Sequence, residues 1–425
     1  MSAVDQVAAL LAAARPRAMA ALLRRFRDLD MAEEALQEAC LRALKTWPVN
    51  GPPRDAEAWL IFVGRNAGID VTRRRAKLTV LPDEDELSDT GDAEARLVES
   101  LDDGDYRDDL LRLMFVCCHP ALPVSQQIAL ALRVVSGLSV REIARAFLVG
   151  EDAMEQRITR AKKRVAQTRT PFEAPGPAER AERLAAVMAM ISLLFSEGYA
   201  ASGGRAHLRE QLCEEAIRLA RLLLRMYSNE PGVMGLVALL LLQHSRAQAR
   251  LDTDGAIVLL EDQDRGLWNR AMIGEGLALL DKAMRHARPD PWQIQAAIAA
   301  LHARAGRFED TDFAKIDLLY ARLETMTPSP VVTLNRAVAV SKARGPAEAL
   351  AMIEPLAERL SGYFYYHGAR GAFLKQLGRA AEARAAFDQA ISRASTPQEA
   401  MHIRMQIDRM GAGSPTVAEA AADGK

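Results

Sequence analysis

Aromatic residues and cysteines are scarce in this chain of 425 residues. Aromatic side chains make up only 5% of it, which argues against a β-sandwich or barrel, because strands are enriched in aromatic and β-branched residues. Four cysteines in so long a chain do not form a disulfide framework. Ala, Leu, Arg and Glu are abundant instead, and these residues favour helix. The composition therefore predicts an all-α protein.

A long hydrophobic run and a strong excess of one charge are also missing. The longest apolar run, VMGLVALLLL at 233–242, is about half of what a bilayer requires. The first residues place arginines among alanines and leucines at helical spacing, unlike a signal peptide. The net charge of −1 excludes a uniformly basic protein that coats nucleic acid. We expect a soluble, cytoplasmic protein with no membrane partner.

Charge and the content of proline and glycine divide the chain into segments. Two helical segments each end in a basic cluster, and an acidic stretch that is poor in apolar residues separates them, which is typical of a linker. A short Pro/Gly-rich hinge, PFEAPGPAE, precedes a long helical half. The predicted segments are 1–75 (helical), 76–105 (acidic linker), 106–170 (helical), 178–410 (helical) and 411–425 (disordered tail).

The long C-terminal half carries weak internal repetition. The segments HARAGRFEDTDF, SKARGPAEALAM and LKQLGRAAEARAAF align on Gly306, Gly345 and Gly378. The separations of 39 and 33 residues are near the tetratricopeptide period of about 34. The pattern favours stacked helix pairs joined by glycine turns, and a generic helix-rich domain with glycine turns is the alternative.

The most specific local pattern, at residues 138–165, is that of a helix-turn-helix. Ser139 and Glu142 form a capping box that starts the first helix, and residues 148–150 make the turn. Asp152 and Glu155 repeat the capping pattern for the second helix. One apolar stripe then follows at helical spacing: Met154, Ile158, Ala161 and Val165.

Polar side chains occupy the rest of that second helix. Those opposite the stripe would face base edges in a major groove: Gln156, Thr159, Arg160 and Lys163. Those beside the stripe would reach phosphates: Arg157, Lys162 and Arg164. A solvated basic face is the alternative interpretation, but cap, turn and stripe together favour DNA binding.

Two N-terminal segments carry further candidates. Residues 57–75 combine Trp59 with several cations, which suits stacking of unpaired bases, although a tryptophan near arginine is more often ordinary helix packing. Residues 28–47 have a polar face that is either solvated or docked on a basic partner, formed by Glu33, Glu34, Gln37 and Glu38. Their predicted apolar stripe consists of Leu36, Cys40, Ala43, Leu44 and Trp47.

Two other groups of residues are assigned structural roles. Cys117, Cys118 and His119 are adjacent and lack a second ligand pair at a usual spacing, so we interpret these cysteines, with Cys40 and Cys213, as core residues and predict no metal site. The charged side chains near residue 262 are expected to form ion pairs and caps, since no phosphate loop or nucleophile motif accompanies them. They are Glu261, Asp262, Asp264 and Arg265. We predict no cofactor.

These segments resemble a known family along almost the whole chain, from about 5 to 405. DLDMAEEALQEACLRALKTW with AWLIFVGRNAGIDVTRRR resembles region two of bacterial RNA polymerase sigma factors, and the helix-turn-helix resembles region four. The run from CCHPALPVSQQ to ITRAKKR is similar to extracytoplasmic-function (ECF) sigma factors that carry a tetratricopeptide-like C-terminal extension. SEGYAASGG, ARLDTDGAIVLLEDQDRGLWNRAMIGEGLALL and TPSPVVTLNRAVAV resemble that extension.

The resemblance implies an all-α fold with three parts: a sigma region-two domain, a region-four helix-turn-helix domain and a tetratricopeptide-like domain. It implies binding to the clamp helices of core RNA polymerase through Asp30, Glu33, Glu34, Gln37 and Glu38. It implies minus-ten recognition through Trp59, Arg65, Asn66, Asp70, Arg73 and Arg74, with 48–56 as a specificity loop. It implies minus-thirty-five recognition through Gln156, Arg157, Thr159, Arg160, Lys163 and Arg164.

The implied partners are core RNA polymerase, promoter DNA and a protein or peptide that binds the C-terminal domain. A sigma factor is not an enzyme, because the polymerase makes the RNA. We expect the C-terminal domain to support or control activity. A helix-turn-helix regulator whose helical domain senses a ligand or peptide is the alternative, and an interaction scaffold is a third.

Overall fold

A computed structural model describes residues 3–75, 103–147, 149–167, 177–199, 206–252, 257–394 and 396–412. Within these ranges the regular elements are helices, apart from one isolated bridge between Leu251 and Ile257, so the all-α prediction is confirmed. None of the described helices is both long enough and apolar enough to cross a membrane. The chain divides into two compact units, 1–194 and 195–425.

The helices of the first unit are α1 (Ala3–Phe26), α2 (Leu29–Asn50), α3 (Ala56–Arg75), α4 (Asp103–Cys117), α5 (Val124–Val134), α6 (Val140–Ala146) and α7 (Glu151–Ala166). Helix α8 (Pro177–Tyr199) runs across the division. Most of the predicted acidic linker and of the hinge PFEAPGPAE lies outside the described residues. The predicted loop 48–56 is shorter than expected, since residues 48–50 belong to α2.

Helices α1, α2 and α3 pack against one another, and α4 packs against α1. A Cβ atom on Gly64 of α3 would lie 2.9 Å from Leu22 Cδ1 and 3.2 Å from the Ala35 carbonyl oxygen, so only glycine lets α3 approach this closely. Trp47 is buried as predicted, whereas Leu44 is 43% exposed. Including Leu44 in the buried stripe of α2 was wrong, because the stripe that α1 and α3 cover is narrower than the pattern suggested.

The helix-turn-helix has the predicted capping box. The Ser139 backbone N–H donates to Glu142 Oε2 at 2.7 Å, and the Glu142 N–H donates to Ser139 Oγ at 3.2 Å. The Ser139 hydroxyl also donates to Glu142 Oε2 at 2.7 Å, and this bond, together with the one from the Ser139 N–H, lowers the pKa of the Glu142 carboxyl. The second capping prediction is wrong: α7 has Gly150 at its N-cap position without a side-chain cap, which places Asp152 inside the first turn. An acidic residue there still interacts favourably with the helix dipole.

The helices of the second unit beyond α8 are α9 (Ala206–Met226), α10 (Pro231–His244), α11 (Arg270–Met284), α12 (Pro291–Arg304), α13 (Phe313–Met326), α14 (Pro330–Ala343), α15 (Pro346–Ile353), α16 (Phe364–Gln376), α17 (Ala380–Ile391) and α18 (Pro397–Ala412). Helices that follow one another along the chain pack together from α12 onward. The longest apolar run lies in α10, which packs against α9, α11 and α12 and is almost entirely buried.

Glycine turns join the later helices. Gly345 (φ 105°) lies between α14 and α15, and Gly378 (φ 74°) lies between α16 and α17. Both occupy the left-handed region that side chains disfavour. At Gly371 in α16, a Cβ atom would come within 2.5 Å of the Phe387 ring, so the absence of a side chain allows α16 and α17 to pack closely. The assignment of these pairs to tetratricopeptide repeats stays a prediction.

Candidate polymerase and DNA interfaces

Helix α7 presents a continuous polar face. Its apolar stripe is buried as predicted, with at most 4% of each side chain exposed: Met154, Ile158, Ala161 and Val165. The residues that the sequence places opposite the stripe are all exposed, and Asp152 and Glu155 are exposed beside them: Gln156, Thr159, Arg160 and Lys163. Arg160 and Lys163 form no ion pair within the part of the chain that the structure describes. Their charges are therefore available to an anionic partner.

The residues that flank the stripe have different environments. Arg157 is half-buried, and Arg164 is exposed and donates to the Ala121 carbonyl at 3.2 Å. Lys162 instead extends to α2, where its Nζ lies 2.7 Å from Asp30 Oδ1 and 2.7 Å from Glu33 Oε2. The expectation that Lys162 faces phosphates is therefore wrong for this arrangement, because two carboxylates already hold its ammonium group.

Glu33 is the centre of a buried charge network. Only 5% of its side chain is exposed, and the Arg133 guanidinium of α5 lies 2.6 Å from its Oε1. Burial opposes the charge on Lys162, but the hydrogen bonds to Asp30 and Glu33 outweigh it and raise the pKa of Lys162. We call Asp30, Glu33, Arg133 and Lys162 the Glu33 junction. Placing Glu33 on an exposed face was wrong, because α5 and α7 cover it.

The other predicted polymerase contacts remain on the surface of α2. Glu34 and Gln37 are exposed, and Glu38 forms a 3.0 Å ion pair with Arg42. Leu41 and Leu44, respectively 54% and 43% exposed, continue the line of Glu34 and Gln37. The four residues recur at spacings of three, four and three, the pattern of a coiled-coil seam. Sequence reasoning missed Leu41, although this spacing could have revealed it.

The predicted minus-ten residues lie along α3. Trp59 is half-buried and packs edge-on against Trp47 with a centroid distance of 5.2 Å, so helix packing occupies part of its ring. Arg65 is exposed and Asn66 is half-buried. The remaining three belong to the last turns of α3, but their side chains lie outside the described part: Asp70, Arg73 and Arg74.

The cysteines and the acidic segment take structural positions. Cys117, Cys118 and Cys213 are buried, Cys40 is half-buried, and burial raises the pKa of Cys118 to about 12. No group of His, Cys, Asp and Glu that could hold a metal ion occurs among the described residues. In the acidic segment, Glu261 Oε2 lies 2.6 Å from Lys342 Nζ. Asp264 accepts from the Gly266 N–H and caps a short helical turn.

Comparisons with known proteins match three parts of the chain. Residues 10–78 match sigma-70 region 2, residues 112–165 match sigma-70 region 4, and residues 183–284 match a family of unknown function, DUF6596. A protein of Rhizobium meliloti (strain 1021), described as uncharacterized, is 68% identical over 409 residues, which cover 96% of this chain and 97% of that protein. No solved structure matches.

Both sigma modules coincide with the surfaces described above. The region 2 match covers α2 and α3, and the region 4 match covers α7. This family binds core RNA polymerase and promoter DNA, and it acts as a non-enzymatic initiation factor. The chain belongs to the sigma-70 family, whose members direct promoter-specific transcription.

Proposed function

We propose that this chain is an ECF sigma factor that reads a minus-thirty-five element through α7 and binds polymerase through α2. The observation that carries the proposal is the division of α7 into a buried stripe and an exposed polar face. A helix-turn-helix inserts such a face into the major groove. The second unit supports or controls this activity.

The polar face of α7 has the residue types that discriminate base pairs. Gln156 matches the donor and acceptor pattern of adenine, Arg160 and Lys163 match guanine, and the methyl group of Thr159 matches that of thymine. Arg157 and Arg164, beside the stripe, are placed for phosphates. Phosphate contacts fix the register of a protein on DNA but carry no sequence information directly.

The exposed seam of α2 supports docking on a helical partner. Leu41 and Leu44 supply apolar contacts, while Glu34 and Gln37 supply polar ones at the heptad spacing that coiled coils use. The clamp helices to which region two binds in this family are themselves a coiled coil. Glu38 adds acidic charge beside the seam, and complementary charge steers association.

Capture of unpaired bases by the end of α3 completes the proposed promoter contacts. Exposed Arg65 and the cations Arg73 and Arg74 would hold the strand backbone. The free face of Trp59, together with Asn66 and Asp70, would contact bases. Unstacking costs a few kcal/mol, roughly, which these contacts offset.

In vitro transcription with purified core polymerase tests the proposal. We expect the full chain to start RNA synthesis at its own promoter and Arg160→Ala to weaken initiation there. Arg141→Ala is the matched control, because this arginine is exposed in α6 and pairs with Glu151. Binding to DNA without core, combined with no initiation, would instead support the helix-turn-helix regulator.

The contribution of the second unit is tested by a chain that ends at Thr170. Greater activity of the short protein means that the second unit inhibits, and lost activity at equal protein level means that it is required. Equal activity of the two proteins under inducing conditions would contradict the proposed role.

A further inference from the structure

Three arginines of the second unit gather around two aromatic rings. The guanidinium carbon of Arg250 lies 3.6 Å from the centroid of the Tyr199 ring, and that of Arg265 lies 4.6 Å from Trp268. Arg246 lies 5.8 Å from the Trp268 centroid and donates to the Tyr199 hydroxyl at 2.9 Å. We call these five residues the arginine cluster. Stacking on the rings fixes the positions of the guanidinium groups.

Among the described residues, no carboxylate forms an ion pair with these arginines. Arg246 and Arg250 bond to the hydroxyl and carbonyl oxygens of Tyr199. Arg265 donates to the carbonyls of His302 and Ala305 at the end of α12, a favourable position for a cation. Glu309 and Asp310 act on Arg265 electrostatically without an ion pair, and Asp310 is bound by Arg307. Within the described ranges, the three positive charges are therefore not held in ion pairs, although Glu309 and Asp310 partly offset that of Arg265.

Several buried polar atoms at this place have no hydrogen-bond partner among the described residues. Trp268 is 3% exposed, and its indole Nε1 has no partner among the described residues. Arg265 Nη2, a second donor, likewise has no partner there, and neither has His302 Nδ1, whose role depends on the tautomer. A buried donor without an acceptor is unfavourable, so an oxygen atom placed here would satisfy it.

The charges of the cluster act on common neighbours. Burial, together with the charges of Arg246 and Arg265, lowers the pKa of His302 to about 4. Burial also lowers the pKa of Arg265, with a contribution from Arg246. Arg250 lies within electrostatic reach of Tyr365 on α16. The cluster thus creates a positively charged region that an anion would stabilise. Its charges act on residues of both α12 and α16.

We propose that the arginine cluster binds a dianionic oxygen group, a phosphate or a dicarboxylate, carried by a small ligand. The planar guanidinium of arginine forms paired hydrogen bonds with such groups. Trp268 Nε1 adds a neutral donor that fixes orientation. This site lies outside the sigma modules, and its binding does not depend on the transcriptional role proposed above.

Thermal unfolding of the full chain tests this site with inorganic phosphate and with succinate, each against sodium chloride at equal ionic strength. We expect at least one of the two anions to raise the Tm more than chloride does. Arg246→Gln should weaken the apparent affinity at least tenfold. The matched control is Arg304→Gln, whose guanidinium already bonds to Asp281 at 3.1 Å, and it should respond as the unaltered chain does.

A response to phosphate identifies phosphate groups as the ligand chemistry, and a response to succinate alone identifies carboxylates. Circular dichroism checks that the variants fold, and Arg250→Gln replaces Arg246→Gln if that variant does not. The proposal is overturned if neither anion exceeds the effect of chloride, or if the cluster variant responds as the control does.

A second inference rests on the Glu33 junction and on the proposed function. The family resemblance assigns Asp30 and Glu33 to polymerase, yet here both bind Lys162 of α7, and Glu33 also binds Arg133 of α5. A carboxylate that is 5% exposed cannot reach another protein without leaving these cations. We infer that the junction closes part of the polymerase surface in the free chain and opens when polymerase binds.

Charge reversal at Lys162 tests the junction. Lys162→Glu places a carboxylate against Glu33, so we expect a larger radius of gyration by small-angle scattering and several-fold tighter binding to core polymerase. Arg141→Glu is the control, since it reverses a charge whose one partner among the described residues is exposed Glu151. An unchanged radius of gyration together with unchanged affinity overturns the inference. If neither the variants nor the unaltered chain bind core polymerase, the proposed function is contradicted instead. The scattering result would then still decide whether the junction closes region two.

Discussion

The basic face of α7 and the arginine cluster are two cationic regions built in different ways. Arg160 and Lys163 project from one helix into solvent, where salt screens each charge separately. Arg250 and Arg265 are half-buried against aromatic rings that fix their positions. The difference indicates two kinds of anion: a long, repeating polyanion for the solvated face, and a compact group for the fixed one.

The largest expected effect concerns the junction that holds α7 in place. Glu33→Ala leaves Lys162 and Arg133 without their shared carboxylate, and breaking a buried pair costs about 3–5 kcal/mol. Chemical denaturation of the first unit measures the loss. Glu151→Ala removes the carboxylate of an exposed pair and should cost at most about 1 kcal/mol. Equal losses in the two variants would mean that burial does not strengthen the junction.

The second effect is a dependence of folding stability on pH, which arises from His302 beside the arginine cluster and not from the exposed face of α7. The pKa of His302 in the folded chain is lowered to about 4, so its imidazole stays neutral above that pH. In the unfolded chain the same imidazole takes up a proton below about pH 6.5. Stability should therefore fall as the pH drops from about 6.5 to 4, by on the order of 2–3 kcal/mol.

Denaturation curves at several pH values check this expectation. His302→Gln should show a flatter dependence over the same range, because it has no group to titrate there. A dependence as steep as that of the unaltered chain would assign the loss to other groups.

The third effect concerns recognition by the solvated face. Arg160→Ala and Lys163→Ala should each weaken binding to the cognate minus-thirty-five element by about 1–3 kcal/mol. Competition between promoter fragments with single base changes measures it. The response of the arginine cluster to phosphate should stay as it is in both variants. Normal transcription across all altered promoters would show that a different face of α7 meets the bases.

The smallest effect concerns the cap that starts the helix-turn-helix. Ser139→Ala removes the side-chain half of the capping box and should cost about 1 kcal/mol. The hydrogen bonds from Ser139 lower the pKa of Glu142. Their contribution to the stability of the fold is therefore present at a pH above the ordinary pKa of a glutamate, and it is lost as the pH falls through the lowered pKa of Glu142. Thermal unfolding of Ser139→Ala and of the unaltered chain at pH 7 and pH 3 checks both the loss of stability and its dependence on pH. If the two proteins differ equally at both pH values, the expected dependence on pH is wrong.

Helical periodicity and capping chemistry predicted much of the DNA-binding candidate site. The stripe from Met154 to Val165 is buried, and the Ser139 capping box is present. On α2 the same reasoning placed Trp47 correctly and Leu44 wrongly. Periodicity gives the direction of a stripe, but its width depends on how many neighbouring helices cover it, and the neighbours were not known.

The sequence by itself determined the helices, their caps and the faces of α7, because those depend on residues three or four positions apart. Tertiary structure alone decided which cations are available. Lys162 and Lys163 are consecutive, yet Lys162 meets a carboxylate 129 positions away, and Lys163 meets none in the described part of the chain. The arginine cluster likewise assembles from segments between Tyr199 and Trp268. Contacts over such separations form only when helices pack, so the physical reason lies in packing and not in local pattern.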